Sequence, residues 1–138
     1  MAYDAQNIFA KILRGEIPCL KLYEDEHTLA FMDIMPQADG HALVIPKEAA
    51  ETLFDLSDQA AAACVQTARK VAQAVKKAMD APGIVVLQLN GVAAGQTVAH
   101  CHFHVIPSSL AALTKGHGAH MEKPEKLAEL AEKIRAAF

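Results

Sequence analysis

His100-Cys101-His102-Phe103-His104-Val105-Ile106 is the stretch on which the reading of this chain turns. Histidine alternates with apolar residues, and a period of two belongs to a β-strand. The strand is expected to span Val98 to Ile106. On it, His100, His102 and His104 share one face, while Cys101, Phe103 and Val105 share the other and pack into a core. Same-face neighbours lie roughly 6.7 Å apart. Three imidazoles in a row therefore line a groove about the size of a phosphate group with its substituents. Just upstream, Gly91 to Thr97 is a glycine-bearing turn whose backbone N–H groups and Thr97 hydroxyl suit phosphate oxygens. Two other readings of the histidines stand beside this one. His-x-His on a strand is a zinc geometry, and a polar strand face need carry no chemistry.

The flanking elements follow from punctuation and period. Asp4 is expected to cap a helix from Ala5 to Leu13, with Ile8, Phe9, Ile12 and Leu13 as its apolar stripe. Gly15 and Pro18 stop it. Leu20–Glu24 and Thr28–Asp33 read as a hairpin, and His41–Ile45, closed by Pro46, as a third strand. Ser57 looks like the cap of a helix from Asp58 to Met79. Ala61, Cys64, Val65, Ala68, Val71, Ala72, Val75 and Met79 recur along it at helical spacing. Ile84–Asn90 is a fourth strand. Thr114–His120, with two glycines, reads as a loop, and Pro124 opens a last helix to about Ala137. The expected class is α+β: about five antiparallel strands with helices on one side.

The bulk numbers narrow the function. The chain has 138 residues, enough for one ordinary domain, with a core over about residues 5–107 and a C-terminal loop and helix over 108–138. Apolar residues make up 52% and charged residues 21%, which is globular composition. A net charge of −3 argues against general nucleic-acid binding, which needs a basic face. No run of about 18 apolar residues offers a membrane span. Cys19, Cys64 and Cys101 form no C-x-x-C pair, and the first residues have no basic or apolar leader pattern. Free thiols and a cytoplasmic location are expected.

Residues 100–106 also resemble the signature of the histidine-triad family, H-φ-H-φ-H-φ-φ with φ apolar. The likeness to the Hint branch, which holds nucleoside phosphoramidate hydrolases, extends through Asn7-Ile8-Phe9-Ala10-Lys11-Ile12, Ile17-Pro18, Tyr23-Glu24-Asp25-Glu26, Ala30-Phe31-Met32-Asp33-Ile34, Pro36-Gln37, Gly40-His41 to Lys47, and Asn90-Gly91 through Thr97. It covers residue 5 to about 107.

That resemblance implies a five-stranded antiparallel sheet with helices packed on it, assembled as a homodimer. It implies His102 as a nucleophile on the α-phosphorus, forming a nucleotidyl-imidazole intermediate that water then hydrolyses. His104 would bond the phosphate, His100 would orient His102 partly through its carbonyl, and His41 would complete the network. Asp33 would hold the ribose. Phe9, Ile12, Phe31, Ile34 and Leu43 would wall the base pocket. Asn90, Gly95, Gln96 and Thr97 would surround the phosphate and leaving group. The partner would be a purine nucleotide or nucleoside phosphoramidate, and no cofactor would be needed.

Two departures stand out. Many bacterial members of the family carry C-x-x-C in the first helix and bind a structural zinc there, whereas this chain has Asn7-Ile8-Phe9-Ala10, so no such zinc is expected. The chain also has no tryptophan, which the best-known Hint enzymes place near the leaving group. The leading function is thus phosphoramidate or adenylate hydrolysis. Dinucleoside polyphosphate cleavage is the alternative chemistry, and a nucleotide-binding or scaffold module is the alternative class.

Overall fold

The computed structural model describes residues 2–113 and 121–138. Helix α1 (Ile8–Leu13) leads into strands β1 (Lys21–Glu24), β2 (Thr28–Met32) and β3 (Ala42–Pro46). The long helix α2 (Asp58–Ala78) follows, then β4 (Val85–Gln88), β5 (Phe103–Ile106), a short α3 (Leu110–Leu113) and α4 (Pro124–Arg135). The five strands form one sheet in the order β1-β2-β3-β5-β4, and each neighbouring pair is antiparallel.

The β1–β2 hairpin lacks the usual glycine or asparagine turn residues. Asp25 replaces them: its carboxylate accepts the N–H groups of His27 and Thr28 and the Thr28 hydroxyl. Alternation along the strands then builds two layers. Ala30, Met32, Ala42, Val44, Phe103 and Val105 face Cys64, Ala68, Val71 and Val75 of α2 and Leu127, Ala131 and Ile134 of α4. Leu29, Phe31, Leu43 and Ile45 face the other way and pack with Phe9 of α1. Helices therefore cover both faces, where the sequence predicted one. The reason is Phe9, whose buried ring meets Phe31 edge-on at 5.4 Å.

Helix α2 begins where expected, with the Ser57 hydroxyl accepting the Ala60 N–H. Its buried face runs through Ala60, Cys64, Thr67, Ala68, Val71, Ala74 and Val75. Val65, assigned to the stripe, is 59% exposed instead, and Thr67 is buried because its hydroxyl pairs with that of Thr28 at 2.7 Å.

Three expected boundaries are corrected. Helix α1 starts at Ile8, because the Asn7 side chain, not Asp4, accepts the Ala10 N–H; Asp4 closes the preceding turn by accepting the Asn7 N–H on its carbonyl. Strand β5 starts at Phe103 rather than Val98. Ahead of it the Cys101 N–H turns to the Ala50 carbonyl at 2.8 Å and leaves the ladder. The short α3 was read as part of a loop. The predicted loop Thr114–His120 falls outside the described residues.

Candidate active site

The histidines meet where β3 and β5 lie side by side, with Leu43 opposite His104 in the register. His41, His100, His102 and His104 are all buried. Their hydrogen-bond partners settle which nitrogen carries each proton. His102 Nδ1 lies 2.7 Å from the His100 carbonyl. A carbonyl only accepts, so Nδ1 holds the hydrogen and Nε2 keeps its lone pair. His41 shows the opposite arrangement: its Nδ1 accepts the Gln37 N–H at 3.1 Å. His41 Nε2 therefore donates to His104 Nδ1 at 3.0 Å, with an Asp33 carboxylate oxygen at 3.3 Å beside it. His104 in turn carries its proton on Nε2 and is a donor there.

Burial holds His102 below the usual histidine range, against the upward pull of the His100 carbonyl and the Asp33 charge. Burial does the same to His100, whose ring is bonded to the Pro46 carbonyl. Both rings are therefore neutral at pH 7, the state a nitrogen nucleophile requires.

His41, His102 and His104 border a cavity of about 360 Å³, within the size range of small-ligand sites. Phe9, Ile12, Phe31, Asp33, Ile34, Leu43, Thr97, His41, His102 and His104 all line it. Ile34 is 56% exposed at the mouth. Asp33 is placed by backbone pairing with His41, whose carbonyl accepts the Asp33 N–H at 3.1 Å. Gly40 makes the turn into His41 with φ +94°, and a Cβ there would sit 2.8 Å from Met79 Cγ.

Other expected site residues are not brought to the cavity. The Gln96 side chain accepts the Gly91 N–H and donates to the Glu51 and Val98 carbonyls, so its polar atoms are spent on the loop. Asn90 accepts the Leu53 N–H and exchanges bonds with Gln88. Gly95 ends the short turn Val92–Ala94 at φ +106°. His100 lies behind His102. Conversely, Ile17, Pro18, Cys19, Met35, Gln37 and Val98 line the cavity without having been assigned a role. Ile17-Pro18 and Gln37 belong to the stretches that carry the family likeness, but nothing in their local pattern signals a wall.

Among the described residues, Asp33, His41 and His104 each bring a metal-ligating atom within 4.8 Å of the others. His41 Nε2 is already bonded to His104 Nδ1 and lies beside the Asp33 carboxylate. Asn7 and Ala10, at the positions of the absent thiols, instead start α1.

His102, just ahead of β5, and His104 on it therefore face one cavity together with His41. The pattern that defines the HIT domain matches residues 14–110, and the chain belongs to the HIT domain family. It is 43% identical over 129 residues to adenosine 5'-monophosphoramidase hnt1 of Schizosaccharomyces pombe, covering 92% of this chain and 94% of that protein. It is 40% identical over 132 residues to protein hit of Bacillus subtilis, covering 92% and 90%. A solved structure of a Hit-like protein involved in cell-cycle regulation from Bartonella henselae superposes with a TM-score of 0.92 at 47% identity, with both chains fully covered.

Proposed function

We propose that this protein is a nucleotide hydrolase that cleaves the phosphorus–nitrogen bond of purine nucleoside 5'-phosphoramidates or related adenylates. The observation that carries the reading is the bond from His102 Nδ1 to the His100 carbonyl, which leaves a lone pair on Nε2 beside the cavity. In the first step Nε2 bonds to the α-phosphorus and the phosphorus–nitrogen bond breaks, the leaving nitrogen taking up a proton from solvent. In the second step water bonds to phosphorus and gives a proton back to solvent, the bond to Nε2 breaks, and nucleoside monophosphate leaves with the imidazole restored. Splitting one displacement into two lowers each barrier. A neutral imidazole avoids the repulsion that an anionic nucleophile meets at a phosphate.

The neighbouring groups fit supporting roles. The His104 Nε2–H donates to a phosphate oxygen, where negative charge grows. Asp33 receives the ribose hydroxyls, and the apolar side chains of Phe9, Ile12, Phe31, Ile34 and Leu43 enclose the base. Thr97 stands at the phosphate end. The same reading includes a homodimer, supported by Val65 on α2 and Val86 on the edge strand β4, which are 59% and 49% exposed. It includes a reducing, cytoplasmic setting, supported by three unpaired thiols.

The test is turnover of an adenosine 5'-phosphoramidate bearing a fluorescent amine, in wild type, in His102→Ala and with a chelator. Metal-independent amine release that vanishes in the variant is expected. Absence of release from wild type would move the assignment to polyphosphate substrates or a binding module, and loss on chelation would revive a metal role.

A further inference from the structure

The His100 carbonyl sets the proton on His102, yet residue 100 precedes β5 and no strand ladder holds it. Its backbone is tied through the next residue, where the Cys101 N–H reaches the Ala50 carbonyl. Its ring is tied twice. Nε2 lies 2.9 Å from the Pro46 carbonyl, and Nδ1 lies 2.6 Å from the Tyr3 hydroxyl. The carbonyl can only accept, so Nε2 carries the ring proton and Nδ1 of the neutral ring is an acceptor. The direction of the remaining bond follows: the Tyr3 O–H donates to Nδ1. The two rings also meet edge-on, with centroids 5.6 Å apart.

Tyr3 is delivered from far away in the sequence. The turn after it is closed by the Asn7 N–H and side-chain amide, both bonded to the Asp4 carbonyl. Helix α1 follows at once, and its Phe9 lies edge-on to His102 at 5.0 Å. Tyr3 itself does not line the cavity.

We propose that Tyr3 is a positioning residue for the reaction, its hydroxyl bond to the buried His100 ring holding the carbonyl that keeps the proton on His102 Nδ1. The proposal rests on His102 being the nucleophile. Tyr3 touches no substrate and acts only through His100. Without the hydroxyl, His100 Nδ1 is a buried acceptor lacking its donor, which drives the ring and its carbonyl to rearrange. His102 then samples the tautomer protonated on Nε2, and that form has no lone pair for phosphorus.

The experiment compares wild type, Tyr3→Phe, Tyr3→Ala and His102→Ala by steady-state turnover of the fluorescent phosphoramidate, urea unfolding and nitrogen-15 NMR of the histidine rings. Tyr3→Phe keeps the edge-on ring and removes only the donor. Its kcat is expected to fall roughly tenfold with KM within about twofold, and a second His102 tautomer is expected in the spectrum of the folded protein. Wild-type kcat in Tyr3→Phe would overturn the proposal, whatever Tyr3→Ala does, because only packing would then matter. A loss that tracks the unfolded fraction, with an unchanged His102 spectrum, would overturn it too. The controls separate the two claims. An active His102→Ala sinks the nucleophile reading itself, whereas an inactive His102→Ala beside a fully active Tyr3→Phe sinks Tyr3 alone.

Discussion

His102 and His104 stand with ring centroids 5.0 Å apart and carry their protons on opposite nitrogens. The His102 Nδ1–H donates to the His100 carbonyl, while the His41 Nε2–H donates to Nδ1 of His104. One ring thus offers the cavity a lone pair and its neighbour offers a hydrogen. In the mechanism proposed above these are the nucleophile and the donor for the charge it creates, one residue type separated only by its partners.

His102→Ala removes the atom proposed to attack phosphorus. Turnover is expected to fall by at least about a thousandfold, with the circular dichroism spectrum retained. Residual activity within tenfold of wild type, roughly a barrier change of 1.4 kcal/mol, would mean that another group attacks.

The pH–rate profile follows from burial. Protonation of His102 blocks its lone pair, and its pKa lies below the ordinary histidine value. kcat/KM should therefore rise with pH and reach its plateau through a midpoint below about 6.5. Stability should move in the same direction. The unfolded chain takes up protons at His100 and His102 as pH drops below about 6.5, while the folded state resists. The stabilisation is present above that pH and is lost as pH falls towards the depressed folded values. Urea midpoints at pH 7.5 and 5.5 check this, and a higher midpoint at 5.5 would contradict it.

Gln96→Ala distinguishes a loop clamp from a phosphate ligand. Two carbonyls and the Gly91 N–H lose their partner, so a stability loss of about 1–3 kcal/mol is expected. A rise in KM with unchanged unfolding would instead assign Gln96 to the phosphate.

Gly40→Ala should cost more than an ordinary loop substitution, about 1–3 kcal/mol, because φ is +94° and Met79 crowds the added carbon. Met79→Ala in the same chain relieves the contact but not the dihedral strain. The double variant is therefore expected to recover only part of the loss in urea unfolding.

Much of the fold was legible where one physical signal dominates. Ser57 and the spacing behind it marked α2, and the period-two pattern of 100–106 marked the strand that became β5, although its expected start at Val98 was too early. The cavity walls Phe9, Phe31 and Leu43 were apolar at the right places, and their packing on one sheet face explains why they come together. What stayed hidden depends on partners distant in sequence. The Ala50 carbonyl draws residue 101 out of the ladder. The carbonyls of residues 51 and 98 turn Gln96 inward, and no local pattern encodes that. The placement of α1 on the second face depends on Phe9 meeting Phe31 and His102, a three-body fit invisible to periodicity.

The segment from 100 to 106 interleaves two roles residue by residue. Cys101, Phe103 and Val105 sit in the packed layer against α2 and α4, while His102 and His104 border the cavity. Insertion or deletion of one residue here would turn every side chain over, sending imidazoles into the interior and a thiol and a phenyl ring towards the ligand. A replacement in place touches one of the two roles at a time, whereas losing count by one strikes the packed layer and the cavity wall in a single event.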